Sequence, residues 1–434
     1  MRELLETEIK PKRAFLVGIR QDRCAAETES LTKELAGLAK TLGLEIADQV
    51  EVQVREHHHK FGLGTGKADE IAKKADGLGV DCLVFDGDLS PSQQRNWERL
   101  TGIAAVDRQE LIIRIFAGRA RTREAEIQAA LAELFYSLPR LTHKYIDLSR
   151  QRGGRYGTKG SGETKLETDR RQVEQRIHRL KEELAEVRKQ RGVQRKKRDK
   201  ESASCALVGY TNSGKSSLLN ALTGAEVLTE DKLFATLDAT TRVLPGKGPN
   251  LVITDTVGFI RRLPHVLVDA FRSTLEEAAQ ADLLVHVLDA SDPDVDTYFE
   301  TTLSVLRELG ADKKPMLTAL NKIDCLESAG ALDSLLRRYP GGIPVSALSG
   351  AGLDELARRM IGALSGPVRR FRFPPERSDL AALVYRNGTV LRETYEGTYI
   401  EVEARVEGDF AGKLKEYVCE TPVLRSFRPG SGPQ

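Results

Sequence analysis

The sequence is poor in the residues that staple secreted folds or anchor membrane proteins. Its five cysteines, Cys24, Cys82, Cys205, Cys325 and Cys419, are isolated, odd in number and free of CxxC spacing. Neither a disulfide framework nor a cysteine zinc site is therefore indicated, and they read as small core residues. No apolar run approaches the ~20 residues that span a bilayer. The segment Met1-Arg2-Glu3-Leu4-Leu5-Glu6 also lacks the basic-then-apolar plan of a signal peptide. The expectation is a soluble cytoplasmic protein with no stable membrane insertion. Aromatic residues are few, at 6%, but 40% of the chain is hydrophobic, enough for sizeable cores; wholly disordered and collagen-like chains are excluded.

An excess of either charge is also lacking, with 66 Lys+Arg against 64 Asp+Glu, a net of +2. That balance conceals an asymmetry. Between Arg150 and Lys200 lie 18 basic and 8 acidic side chains, so this stretch carries +10 and the remaining 383 residues carry −8. Such a basic insert suits a polyanionic partner, and a solvated helix face gives the same composition.

Four units are expected. Residues 1–118 alternate apolar runs (Ala14 to Ile19, Val50 to Val54, Cys82 to Phe85) with helical spacings (Leu31/Leu35/Leu38/Leu42 and Ile71/Ala75/Leu78), which predicts a parallel α/β domain. Residues 119–200 carry Ile127, Leu131, Leu134 and Leu138 up to Pro139, where the first helix should stop. A second helix carries Val173, Ile177, Leu180, Leu184 and Val187 at heptad spacing. Two such stripes predict an antiparallel helical hairpin, joined by a long glycine-rich basic loop. The run from Arg188 to Lys200 reads as a charged linker. Residues 201–366 show the strongest βα alternation, and 367–434 suggest a small α+β domain.

The third unit carries a phosphate-binding pattern. Gly209-Tyr210-Thr211-Asn212-Ser213-Gly214-Lys215-Ser216 is GxxxxGKS between an apolar strand and a helix opening at Ser217. Its glycines let backbone N–H groups turn around phosphate oxygens beside a helix N-terminus. Lys215 is placed to reach the β and γ phosphates, and the Ser216 hydroxyl to ligate Mg²⁺. Asp255-Thr256-Val257-Gly258 follows a buried strand: Asp255 is placed to hold Mg²⁺ through water, and the Gly258 N–H to meet a γ-phosphate. Asn321-Lys322-Ile323-Asp324 ends another strand. The Asp324 carboxylate can accept both donors of guanine's N1–H and N2–H₂ edge, a pair that adenine lacks. In Ser346-Ala347-Leu348 the Ala347 N–H is placed to meet guanine O6. A P-loop fold that binds GTP and GDP follows.

Two further residues bear on chemistry. Phe259 follows the DxxG where Ras-like enzymes place a glutamine that orients water. A phenyl ring cannot do this, so hydrolysis should be slow unless a backbone group, ion or partner takes over. At Asn212 the loop resembles that of P-loop GTPases in which an asparagine helps coordinate K⁺, which would assist turnover here; a loop asparagine also favours the turn by itself.

The domain resembles the translation-factor-related GTPases. That resemblance marks Thr236, in Phe234-Ala235-Thr236-Leu237, as the switch threonine that closes over Mg²⁺, with Thr240 and Thr241 as neighbouring alternatives. The segment from Gly153 to Arg171, with Gly160-Ser161-Gly162-Glu163-Thr164-Lys165-Leu166-Glu167-Thr168-Asp169-Arg170-Arg171, together with Leu233 to Asp238, Asp255 to Ile260 and the order of domains, resembles the HflX family. The resemblance implies a ribosome-associated GTPase, monomeric off the ribosome, that binds the large subunit and its rRNA and splits stalled or idle ribosomes. It is compatible with rRNA contact by Arg152, Arg155, Lys159 and Lys165, and with base stacking by Tyr156; a merely solvated loop is the other reading. A GTP-dependent assembly checkpoint is the alternative function, and a membrane or protease regulator a third. Gly62-Leu63-Gly64-Thr65-Gly66-Lys67-Ala68 departs from GxxxxGK spacing and reads as a tight turn, an RNA contact or a second nucleotide site. The neighbouring His57-His58-His59 offers imidazoles to alternate faces of an extended chain, which disfavours a metal site.

Overall fold

The computed structural model describes residues 13–20, 25–151, 161–198, 203–225, 233–236, 239–245, 251–262, 277–364, 368–396, 399–406 and 414–420. Among these residues are three sheets and a long helical hairpin.

The first sheet has the order β2-β1-β3-β4, all parallel, from β1 (Arg13–Arg20), β2 (Glu45–Gln53), β3 (Cys82–Phe85) and β4 (Ala104–Asp107). Its helices are α1 (Ala25–Thr41), α2 (Thr65–Leu78), α3 (Pro91–Thr101) and α4 (Arg108–Arg119). Side-chain alternation explains the layers. Ala14, Leu16, Cys82 and Val84 face α1 and α4 in one core, while Phe15, Val17, Leu83 and Phe85 face α2 and α3 in another. Helix α3 starts with a capping box between Ser90 and Gln93, with Pro91 at its first position, and stops at left-handed Gly102. His57 Nδ1 pairs with the Gly62 carbonyl at 2.9 Å, and His58 and His59 stack on each other, so the histidines close a turn before α2.

Helices α5 (Arg123–Gln151) and α6 (Ser161–Arg198) form the hairpin. Ile127, Leu131, Ile177 and Leu184 form its buried seam, flanked by Leu134, Phe135, Leu138, Val173, Leu180 and Val187. Three expectations need correction. Pro139 does not end the first helix, which continues for twelve further residues. The next residue, Arg140, sends its guanidinium to the Tyr136 carbonyl at 3.0 Å and also to Leu89 O and Asp107. The basic run after Val187 is not an irregular linker but continues α6 to Arg198, as Lys, Arg and Gln are good helix formers. Lys165 lies in α6, four residues inside its start, rather than in the connecting loop. Arg152, Arg155, Tyr156 and Lys159 lie outside the described residues.

The central sheet has the order β10-β9-β8-β5-β7-β6. Strands β5 (Ala203–Val208), β7 (Leu251–Asp255), β8 (Leu283–Asp289), β9 (Met316–Asn321) and β10 (Ile343–Pro344) are parallel, and β6 (Thr240–Val243) runs antiparallel at the edge. Helices α7 (Lys215–Thr223), α8 (Val295–Glu308), α9 (Ala329–Arg338) and α10 (Leu353–Leu364) accompany it. The last unit is antiparallel, in the order β12-β13-β11-β14: β11 (Val368–Phe373), β12 (Gly388–Glu396), β13 (Tyr399–Val406) and β14 (Val418–Glu420). Helix α11 (Ser378–Asn387) covers one face, where Phe371, Phe373, Ile400 and Val402 are buried, while Arg370 and Arg372 meet Glu401 on the other.

Cys82 and Cys205 are core residues as expected, but Cys325 and Cys419 are exposed. Among the described residues no helix is long and apolar enough to cross a membrane, and no cluster of three or more His, Cys, Asp or Glu is arranged to hold a metal.

Candidate nucleotide site

The carboxyl ends of β5, β7 and β9 bring the candidate residues together, as expected where parallel strands of an α/β sheet terminate. Between β5 and α7, Gly214 has φ +89°, and a Cβ there would stand 2.3 Å from Asn321 Nδ2, so only glycine lets the loop turn there. Ser217 sits in the first turn of α7. Lys215 is buried and donates from Nζ to the carbonyls of Gly209 (3.2 Å) and Tyr210 (2.8 Å). Burial lowers its pKa to about 8, opposed by the nearby Asp255 carboxylate; phosphate anions beside it would restore the charged form.

Three oxygens converge beside it. Ser216 Oγ lies 2.6 Å from Thr236 Oγ1 and donates to Asp255 Oδ2 at 2.6 Å. Asp255 is fully buried, and its Oδ1 has no hydrogen-bond partner. Burial raises its pKa against the pull of Lys215. Two hydroxyls and an orphaned carboxylate oxygen are hard donors of the kind Mg²⁺ prefers, so this set fits the ion. Thr241, by contrast, pairs with Thr254 across the sheet at 3.1 Å, and Thr240 begins β6. Geometry thus places Thr236 at the hydroxyl cluster. Within the loop, Thr211 Oγ1 and Ser213 Oγ are buried and unpaired.

At the other end, Asn321 is a brace. Its Nδ2 donates to Ser213 O at 2.9 Å, and its Oδ1 accepts from the Ala347 N–H at 3.1 Å. The Ala347 donor is therefore engaged by Asn321 in this structure. Lys322, at φ +63°, pairs with Asp289 at 2.6 Å. Asp324 is exposed, and a hydrogen bond from Ser346 lowers its pKa, so it stands as an ionised acceptor. Ser346 is buried and Leu348 is 88% exposed.

Gly258 packs against the loop so closely that a Cβ would lie 2.7 Å from Thr211 Cα and 3.0 Å from Lys215 Nζ. The Phe259 ring points the other way, into a core with Val208, Leu284 and Leu306. It takes no part in orienting water.

Sequence reasoning missed how the first domain meets this site. Tyr210, Phe234, Val257 and Ile260 share a core with α1 and α4. Phe234 tilts against Phe116 at 4.7 Å, and Arg119 donates to Ala235 O at 3.1 Å. Glu34 accepts from the Tyr210 hydroxyl (2.7 Å) and Arg261 Nε (2.9 Å) and pairs with Arg108. The only signal in the sequence was the pair Arg261-Arg262 directly after Gly258-Phe259-Ile260, an odd place for two cations.

Fold and site together define a P-loop GTPase. Residues 204–322 match the family model described as "50S ribosome-binding GTPase", residues 29–117 that of "GTP-binding GTPase N-terminal", and residues 119–198 that of "GTP-binding GTPase Middle Region". The chain is 46% identical to GTPase HflX of Akkermansia muciniphila over 97% of this chain and all of that one. It is 41% identical to GTPase HflX of Escherichia coli over 84% and 86%, respectively. A solved GTP-binding protein of Sulfolobus solfataricus in complex with GDP is 26% identical, covering 81% of this chain and 98% of that chain, with a TM-score of 0.45. The chain belongs to the HflX family of GTPases, enzymes that hydrolyse GTP.

Proposed function

We propose that this enzyme binds the large ribosomal subunit in its GTP form, separates stalled or idle ribosomes, and leaves on hydrolysis. The observation that carries this reading is the match along the chain to HflX GTPases, with a segment described as ribosome-binding joined to a hairpin that holds the basic insert. Ribosomal RNA is a dense phosphate surface, and the +10 stretch from Arg150 to Lys200 is the part of the chain suited to it. Binding energy in the GTP state competes with contacts between the subunits, and hydrolysis resets the cycle. Arg152, Arg155, Lys159 and Lys165 are assigned to rRNA, with Tyr156 to a base.

For the chemistry, Ser216, Asp255 and Thr236 would hold Mg²⁺, which neutralises phosphate charge when bound. Lys215 and the Gly258 N–H serve the γ-phosphate, with the backbone from Gly209 to Ser217 cradling the chain of phosphates. Asn321, Lys322 and Asp324, with Ser346, Ala347 and Leu348, serve the guanine. Asn212 is assigned a K⁺ that assists turnover, in the place left open by Phe259; equal rates in K⁺ and Na⁺ buffers would remove that assignment.

Sucrose-gradient sedimentation with a non-hydrolysable GTP analogue tests the main reading. Assembled ribosomes should fall apart into subunits at saturating protein. Ribosomes that stay intact, with immature subunits accumulating on depletion, would replace splitting by an assembly checkpoint.

A further inference from the structure

We infer that the cavity between α1 of the first domain and the phosphate-binding loop is a site for an aliphatic diamine or polyamine, held through Asp292 and Asp294.

The cavity measures 520 Å³, within the ~300–1,000 Å³ of small-molecule sites, and it lies between two domains, where such sites are frequent. One wall is α1 around Lys33, another is the loop from Thr211 to Ser213, and the third is the segment from Asp292 to Val295 with Tyr298 of α8. Gly214, Lys215, Ser216 and Ser217, which line the phosphate cavity, take no part in this one.

Most carboxylates on the wall are matched. Glu29 pairs with Lys33 at 3.0 Å, Asp289 with Lys322 at 2.6 Å, and Glu34 with Arg261 at 2.9 Å. Asp292 and Asp294 differ, since neither has a cation within ion-pair distance among the described residues. Asp294 accepts the Ser30 hydroxyl, and Asp292 accepts the Asp294 N–H at 2.9 Å. Burial, with the charges of Asp289 and Asp294, holds the Asp292 carboxyl above its ordinary range against that hydrogen bond. The wall is short of positive charge.

Two unmatched carboxylates suit a ligand with two positive charges, and they repel one that carries phosphate. A bare divalent metal does not fit, because among the described residues no group of three or more His, Cys, Asp or Glu is arranged to hold one. An alkyl chain with ammonium ends does. Pro293 and Val295 offer apolar surface to the chain, and Tyr298, stacked on Tyr210 at 3.9 Å, supplies an aromatic wall for a cation. Thr211 and Ser213 are at most 6% exposed, and their hydroxyls have no hydrogen-bond partner. An ammonium brings three N–H donors, which such acceptors lack here. Because α1 belongs to the first domain and the loop to the GTPase domain, the bound amine ties the two together beside the nucleotide.

The test is isothermal titration calorimetry of the full chain with putrescine and spermidine at constant ionic strength, with butanediol as the uncharged control. Wild type should bind both amines saturably and the diol not at all. The double variant Asp292→Asn/Asp294→Asn should bind them at least about tenfold more weakly, the loss expected when charge-assisted hydrogen bonds are removed. Two competitions in wild type need no variant to fold: neither saturating GDP nor Mg²⁺ added to the GDP-bound protein should displace putrescine. Absent or non-saturable binding, or binding undiminished in a cooperatively folding double variant, overturns the site. Displacement by GDP would assign the cavity to the nucleotide, and displacement by Mg²⁺ would reduce it to charge alone. Tighter binding of Nα-acetylargininamide than of putrescine would overturn it in favour of a protein partner's side chain.

Discussion

At the scale of single residues, the site divides into side chains that type and spacing announce and others that only packing reveals. Asp324 is of the first kind. Its exposed, ionised carboxylate stands ready to accept two donors, so Asp324→Asn should shift preference from GTP towards XTP, whose purine edge offers the amide a complementary pair. Competition binding would show it, and unaltered preference for GTP would remove Asp324 from the guanine contact. His286 is of the second kind. It is buried in β8, stacked on Phe299 at 5.0 Å, with both ring nitrogens unpaired, and burial pushes its pKa down to about 3. The unfolded chain takes up a proton near 6.5, where the folded one does not, so stability present above that pH is lost as pH falls towards 3. Between pH 7 and 5 this one group should remove about 2 kcal/mol. Urea unfolding of wild type and His286→Phe checks it: the variant should lose that part of the acid sensitivity, and parallel pH profiles would refute it.

At the scale of elements, periodicity made most strands and helices legible. The runs Ala14 to Ile19 and Cys82 to Phe85 are strands because alternate residues enter two different cores. The heptad stripe of α6 reads directly as a seam. What escaped has physical causes. β4 is only four residues, begins with two alanines and leads straight into α4, so no turn or apolar run sets it apart. Pro139 is a breaker by local rules, yet its helix runs on to Gln151: one lost hydrogen bond does not end a helix whose preceding turns pack against α6. The seam itself makes a prediction. Leu184 is 6% exposed between the two helices, and Leu184→Ala should cost about 2–4 kcal/mol with the loss concentrated in the hairpin. Exchange protection should drop first in α5 and α6; a loss spread evenly over the three sheets would show that the hairpin has no stability of its own.

At the scale of the whole molecule, charge and order of domains were readable and the contact between domains was not. Glu34 and Arg261 are 227 positions apart, and Arg108 and Arg261 O are 153 apart; nothing local in a sequence links them. The location of the phosphate loop, Asp255 and Asn321 was legible because each sits where a parallel strand ends. Thr236 could be told from Thr240 and Thr241 only once the fold placed its hydroxyl at Ser216. The basic insert carries the molecular prediction. Replacing Arg152, Arg155 and Lys159 together by Ala should weaken ribosome binding and lower the slope of log affinity against log salt by about 2–3, with basal GTP hydrolysis nearly unchanged. Co-sedimentation across a salt series measures this, and an unchanged slope would take the insert off the RNA.

Helix α6 has one further consequence. It runs for 38 residues, which at 1.5 Å per residue makes a rod of roughly 57 Å. One end leads towards the GTPase sheet and the other opens at the glycine-rich connection with α5. A tilt of about 5° at its base, small beside ordinary helix adjustments, would carry the far end through roughly 5 Å, about one helical pitch. Any tilt at the base of α6 would thus be magnified at its far end in proportion to this length.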